Sequence, residues 1–520
     1  MFLSTARPGD KNLLINKSGW SIIYRIQKSK GEKTKQILSA LFAALMLAST
    51  VSCGNAPADA ETDSTINDTT AEDTAPAETT RADLPDNLPE KDYAGKGFNV
   101  LVPAWTSELM AAEELNGEVL NDALYNRNLT VAERFNVDLT MTVLDDTSVE
   151  MKNVVAAGDD LYQLAAGGIV AMGIDLMADI YMNANDLPYI DFTQPWYSTD
   201  VVEQLTYGAN NVTFIFIGAY NISSMGMAGC NFYNKDLAEE YGLEDIYTVV
   251  QEGRWTKDKM QEMISVAYQD TNGDGVKDEG DRYGFSMDFK GDATGYMYYF
   301  GGMTLERQDD GSYKDVFYTE KLVSTMEWLY DLSHNQDYVT CEDAWNHGFN
   351  MFVAGNTLMG KVVIRMVEWG LRDTDIDYAI IPHPKWDEAQ TKYYSTVAGS
   401  SDAQVFLKTI QDKEFSGIIT EALNAESWKQ VVPAYYDNVL MFKAARDEQS
   451  IEMLEIIMNG RVYDFGYVYG AFESNGGGAA FWLNDIMKGN GDLTSYYQKR
   501  KSNWENYMAS VYAKFDGYEG

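Results

Sequence analysis

The residues best spaced for chemistry lie between positions 270 and 281. Asp270, Asn272 and Asp274 alternate, Gly275 follows, and Asp278 and Asp281 complete the run. Counted from Asp270, the carboxylates and the amide fall at loop positions 1, 3, 5, 9 and 12, with the Val276 carbonyl at position 7. Calcium takes about six to eight hard oxygen ligands, and alternate positions of a tight loop can aim them at one centre. The departure is Asp281, because calcium loops of this spacing end in a bidentate Glu. No second loop of this kind pairs with it. The expectation is a structural calcium ion rather than a catalyst, and the alternative is a metal-free, Asx-rich turn joining a helix to a strand.

Other reactive groups are sparse. The three cysteines (Cys53, Cys230, Cys341) and three histidines (His334, His347, His383) have no metal-ligand spacing and no triad-like arrangement. Cys230 and Cys341 are open to two readings, a pair or two buried thiols. Seventy-nine acidic residues guarantee that some carboxylate pair could be drawn, and such pairs hydrolyse glycosides, but no spacing singles one out. Gly476-Gly477-Gly478 is not followed by Gly-Lys-Ser/Thr, so it carries no phosphate-loop signature. A formal net charge of −39 repels nucleic acid and anionic lipid surfaces, which excludes nucleic-acid binding.

The elements that must position these residues begin late in the chain. Lys28, Lys30, Lys33 and Lys35 precede an apolar run over 37–51, shorter than the ~20 residues of a spanning helix. The run ends at Ser52-Cys53-Gly54, which looks like a bacterial lipoprotein signal that would leave Cys53 as the lipidated first residue. Thr50 stands where such signals usually carry Leu. Residues 53–92 are rich in Ala, Thr, Asp, Glu and Pro and read as a disordered, acidic linker.

Beyond the linker, 97–102 reads as a buried strand ending at Pro103-Ala104-Trp105. A helix over 118–135, an alternating strand over 136–143, a helix over 151–157 and an apolar run to Gly167-Gly168 follow. This order implies parallel βαβ units, whose ligands bind beyond the carboxyl ends of the strands. That rule nominates Trp105 and the Gly167-Gly168 turn. Further expectations are a helix over 171–182, a strand over 211–219, helices over 257–268, 321–333 and 345–353, strands over 377–382 and 404–407, and a mostly helical end from 414 to 501.

Four segments together resemble one family. Tyr233-Asn234-Lys235-Asp236-Leu237 with Gly242-Leu243, then Trp255-Thr256 opening a helix, then Phe352-Val353-Ala354-Gly355-Asn356-Thr357-Leu358-Met359, then Tyr378-Ala379-Ile380-Ile381-Pro382-His383-Pro384-Lys385 occur in the order found in maltose-binding-protein-like extracellular solute-binding proteins. Ala379 stands where that family has Gly. The resemblance implies an α/β fold of the type II periplasmic-binding-protein kind, with two lobes joined by a hinge and a ligand cleft between them. It implies lobe 1 at 93–217 and 390–450, and lobe 2 at 218–389 and 451–520.

The function implied is a monomeric, non-enzymatic substrate-binding lipoprotein outside the cell membrane. It would capture a sugar or oligosaccharide for the permease subunits of an ABC importer. Sugar rings stack on aromatic planes and their hydroxyls need polar partners, so the cleft candidates are Trp105, Trp196, Tyr197, Trp255 and Tyr394, with Asp160 and Asn231 in support. Trp196, Tyr197 and Trp255 have an equally plain reading as core residues. The rival functions are a secreted carbohydrate-active enzyme and a purely structural surface lipoprotein.

Overall fold

The computed structural model describes residues 81–518, apart from 290, 372–373, 442–447, 472–477 and 490. The signal segment 1–52, Cys53 and the linker as far as residue 80 lie outside the described residues, as do Gly476 and Gly477. In chain order the strands are β1 Lys96–Pro103, β2 Val137–Leu144, β3 Leu164–Gly168, β4 Tyr181–Met182, β5 Gly229–Asn234, β6 Tyr283–Asp288, β7 Leu305–Arg307, β8 Tyr313–Asp315, β9 Val339–Glu342, β10 Thr357–Val363, β11 Tyr378–Ile381, β12 Ser395–Thr396, β13 Asp402–Leu407 and β14 Arg461–Val462.

The first lobe is built on a sheet of order β2-β1-β3-β13-β4. β1 runs parallel to β2 and β3, and helices Val119–Phe135 and Thr147–Ala157 make the crossovers. Asp146 caps the second of these by accepting from the Val149 amide at 3.2 Å. β13 returns antiparallel to β3 and β4. Alternation along β1 sends Phe98, Val100 and Val102 to one core and Leu101 to another, so both faces of the sheet are covered. Fully buried Arg127 ties the first crossover helix to the later helical layer. It donates to Ser427 Oγ at 2.5 Å and to the Met110 carbonyl, and it lies 4.6 Å over the Tyr220 ring. Burial lowers its pKa to about 10.

The second lobe repeats the plan, with order β11-β5-β10-β6-β9. β10 and β6 are parallel, as are β6 and β9, while β5 is antiparallel to β10 and β11. Asn234 closes β5 and caps helix Lys235–Glu240, and Thr256 caps helix Lys257–Ile264. These two caps are the physical content of the Tyr-Asn-Lys and Trp-Thr segments. Cys230 on β5 and Cys341 on β9 are free and lie three strand spacings apart, about 14 Å, well beyond disulfide reach.

The largest core runs through both lobes. It joins Leu101, Met172 and Phe214 of the first to Tyr233, Phe285 and Met326 of the second, by way of Val468, Tyr469, Trp482 and Phe515. The last helix, Leu493–Asp516, does much of this joining. Near its start, Tyr497 stacks on Tyr318 of the second lobe at 4.7 Å. Near its end, Phe515 and Tyr512 meet Phe214 and Tyr207 of the first lobe at 4.9 and 5.2 Å. Among the described residues no helix is long and apolar enough to cross a membrane.

Three expectations change. The segment 211–219 is buried and extended but forms only isolated bridges, Tyr207 to Val212, Phe216 to Gln404 and Tyr197 to Gly218, rather than a strand. Its continuous apolar run reflects burial on both sides, which period alone does not distinguish from a strand. The expected helix 171–182 is helix Ile169–Asp175, a 3-10 turn, and then β4. The linker's last residues are packed: Asp86 pairs with Arg134, Leu88 is buried, and Lys91 pairs with Glu414 at 2.7 Å.

Candidate functional site

The carboxyl ends of the two sheets meet where the chain crosses between lobes. Trp105 follows β1 and Arg365 follows β10. Arg365 is 2% exposed, and its Nη2 donates across the seam to Glu108 Oε1 at 2.9 Å and to the Trp105 carbonyl at 3.5 Å. Its guanidinium carbon lies 5.7 Å from the Trp105 ring centroid and 5.3 Å from that of Trp369. The two indoles, one from each lobe, are 39% and 53% exposed, which is unusual for side chains of that size. Trp345, in the loop after β9, is 65% exposed. Beneath this group, fully buried Asp402 accepts from Ser223 Oγ at 2.9 Å. Burial raises the Asp402 pKa to about 6, against the lowering effects of Thr106, Ser223 and Arg365.

A second polar group lies on the β5–β10–β11 face of the second lobe, under helix Asp292–Tyr299. Lys361 Nζ lies 2.6 Å from Asp292 Oδ1, with the lysine side chain 16% exposed and the aspartate buried. Burial raises the Asp292 pKa, and the Lys361 charge partly offsets the rise. Asn231 sits opposite both Lys361 and Ile381. His383 stacks on Tyr299 with centroids 3.6 Å apart, and burial holds it neutral, far below the usual histidine range. Tyr467 reaches over from helix Phe465–Val468 to touch Gly399, between β12 and β13.

The structure brings Trp105 to the seam and places Asn231 in the second polar group. The other candidates are dispersed. Asp160 precedes β3, at the amino end of the sheet opposite Trp105, where it accepts from the Gln411 amide at 3.4 Å. Trp196 and Tyr197 are buried in the first lobe's core, and both donate to Glu421, at 2.8 and 2.6 Å. Burial raises the pKa of that carboxyl to about 7 despite these bonds. Trp255 is fully buried and donates to the Pro382 carbonyl at 2.9 Å. Half-buried Tyr394 packs on Gly301, below helix Asp292–Tyr299. Burial therefore removes Trp196, Tyr197 and Trp255 from the solvent-facing set. The residues that sequence reasoning missed are Arg365, Trp369, Trp345, Lys361 and Asp292. The carboxyl-end rule that found Trp105 after β1 would have found Arg365 and Trp369 if applied after β10.

In the loop expected to bind calcium, Asp270 accepts from the Gly273 and Gly275 amides, at 2.7 and 2.9 Å. Asn272 accepts from Asp274 N at 2.9 Å, Asp274 from Val276 N at 2.7 Å, and Asp278 from Gly280 N at 2.7 Å. Asp281 is buried and accepts from Thr271 N at 3.3 Å. Among the described residues no three Asp, Glu, His or Cys side chains converge as a metal would need. Asx turns account for the loop's closure.

No protein-family model matches the sequence, and no curated protein matches it significantly. Solved structures do match. The ABC substrate-binding protein Lmo0181 from Listeria monocytogenes, in complex with cycloalternan, is similar with a TM-score of 0.51 and 10% identity, over 80% of this chain and 99% of that one. M. tuberculosis UspC is similar with a TM-score of 0.51 and 14% identity, over 79% of this chain and all of the other. At such identities the likeness concerns fold, and it agrees with the strand orders described above. The chain has the type II periplasmic-binding-protein-like fold, two α/β lobes joined by crossing segments.

Proposed function

We propose that this chain is a receptor that captures a sugar or oligosaccharide at the seam between its lobes and presents it to an ABC importer. The carrying observation is the pair of exposed indoles, Trp105 and Trp369, one from each lobe, flanking the Arg365 guanidinium at strand carboxyl ends. Flat aromatic faces suit the C–H faces of sugar rings, and a guanidinium suits their hydroxyls. Lobe closure around such a ligand is a hinge motion that a permease can read as a change in population. The Lmo0181 likeness points the same way. The charged groups at the seam are held by neighbours, Asp402 by Ser223 and Glu108 by Arg365, and in the second polar group Asp292 is held by Lys361. That arrangement favours binding over glycoside hydrolysis. The proposal includes a non-catalytic, monomeric protein tethered outside the membrane through Cys53.

Calorimetric titration with neutral oligosaccharides, run beside a turnover assay, tests this reading. Saturable binding without turnover is the expected result. Trp105→Ala and Trp369→Ala should each weaken binding about tenfold or more, consistent with the loss of a stacking contact, while the melting temperature stays within a few degrees. Product formation, or equal affinity in both variants, would sink it.

Calcium in the 270–281 loop is a separate proposal, as a brace in the second lobe. Calcium that bound only the folded chain would raise its stability by linkage. A chelator should then lower the melting temperature of the wild type and leave Asp270→Ala unaffected. If the wild type does not respond, the loop is a bare turn.

A further inference from the structure

The second lobe contains a cavity of about 290 Å³ that shares no residue with the seam or with the group around Lys361. It opens between the carboxyl end of helix Asp292–Tyr299, the β7–β8 hairpin and the amino end of helix Glu320–His334. That volume matches the smaller small-molecule sites, about 300 Å³. The walls are mostly apolar. Met297, Phe300, Phe317 and Leu322 are buried behind the opening, and half-buried Met303 completes them. Methionines adapt to apolar bodies of varied shape.

Two charged side chains stand in these walls, and they are placed differently. Glu306 is exposed and lies opposite Lys314 on the β7–β8 ladder. Lys321 Nζ donates to the Phe300 carbonyl at 2.5 Å, and Asp387 acts on it only from further away. Burial lowers its pKa, as expected of an ammonium that has lost water without gaining a counter-ion. Lys257 shows the contrast. Its ammonium lies 4.6 Å from the Trp386 ring centroid, where that of Lys321 lies 5.9 Å away, and it pairs with Asp258. The helix amino end enters the same wall through Thr319, Lys321 and Leu322, and its dipole adds positive potential there. The chain as a whole, at −39, repels anions, so this spot runs against the global field.

We infer that the cavity is a second binding site, for a small amphipathic carboxylate whose hydrocarbon body lies on the methionine and phenylalanine walls and whose carboxylate meets Lys321. The site stands apart from the seam and does not depend on the receptor reading.

The test uses the full chain with 13C-labelled methionine methyls. Met297→Leu and Met303→Leu assign the two signals among 24 methionines. The probes are octanoate, octan-1-ol and octylammonium, which share one apolar body and differ in charge. Octanoate should bind saturably and move the Met297 and Met303 methyls. Octanol should bind about tenfold more weakly, since it lacks the charge-assisted contact, and octylammonium more weakly still. Lys321→Met keeps an unbranched apolar stem. It should weaken octanoate about tenfold, leave octanol unchanged and preserve the melting temperature. Glu306→Gln should tighten octanoate a few-fold, because it removes a like charge. Octanol or octylammonium binding as tightly as octanoate, or undiminished octanoate binding in Lys321→Met, would overturn the assigned class. Octanoate binding that leaves both methyls unmoved, or no binding of any probe at millimolar concentration, would overturn the site itself.

Discussion

Asp464→Ala should lower the unfolding free energy by about 3–5 kcal/mol, the range of a broken buried network. The carboxylate is buried and accepts four hydrogen bonds. Thr304 N and Thr304 Oγ1 each donate at 2.5 Å, Gly466 N at 2.7 Å and Tyr467 N at 3.2 Å. Two of these donors begin helix Phe465–Val468 and two precede β7, so one side chain fastens the β7–β8 hairpin to the helix carrying Tyr467. Alanine would leave buried N–H groups with no acceptor and no route to water. Asp464→Asn should fall between, because its oxygen still accepts while its NH2 faces other donors. Urea denaturation measures the difference. A midpoint for Asp464→Ala within error of the wild type would show that these donors find other acceptors.

Stability should be greatest near pH 5 and fall toward pH 7.5. Glu421 has a pKa of about 7 and Asp402 of about 6, while burial raises Asp464 and Asp292 as well. For a carboxyl whose folded pKa exceeds its unfolded value, the folded chain holds the extra proton. Its stabilising contribution is full below the unfolded pKa and is lost as pH rises through the folded one. For Glu421 that window runs from about 4.5 to about 7, and the loss is on the order of 3 kcal/mol. The opposite group includes Asp86, held low by Arg134 against its own burial, and Asp412, held low chiefly by Lys96. Their contributions are present above the unfolded pKa, about 3.8, and vanish as pH falls through their lower folded values, which sets the acid limb. Glu421→Gln removes one titration while keeping an acceptor for Trp196, so its profile should be flatter between pH 5 and 7.5. Melting curves across that range check the slope, and a wild-type stability that rises from pH 5 to 7.5 would contradict the assignment.

The sequence was legible where local rules decide. The βαβ start, the Asn234 and Thr256 caps, and the strands around Phe232, Met359 and Ile380 follow from alternation, capping and short apolar runs. It was less legible where distant residues decide. Trp196 and Tyr197 look like ligand contacts until Glu421, more than 220 positions later, is found to bond both. Trp105 and Trp369 flank one guanidinium only because Arg365 crosses from the second lobe to the first. Asn231 was singled out from its segment, but its place beside Lys361 depends on strand register, which no local pattern reveals. The 270–281 spacing suggested an ion, yet the same spacing suits carboxylates that close successive Asx turns.

The last helix bears on how the lobes can move. Its 24 residues make a rod about 36 Å long. One end is seated through Tyr497 and Trp504 on the second lobe's side of the core, and the other through Tyr512 and Phe515 on Tyr207 and Phe214 of the first. Two bodies resting on one rigid rod do not separate like the covers of a book without uncovering those rings. A hinge closure of the lobes must therefore keep those rings covered, so the rod limits how far the lobes can part. Phe515→Ala should loosen the seat at the first-lobe end and add a bending freedom. Small-angle scattering would register it as a broader distribution of interlobe distances, and an unchanged distribution would show that the crossing segments alone set the path.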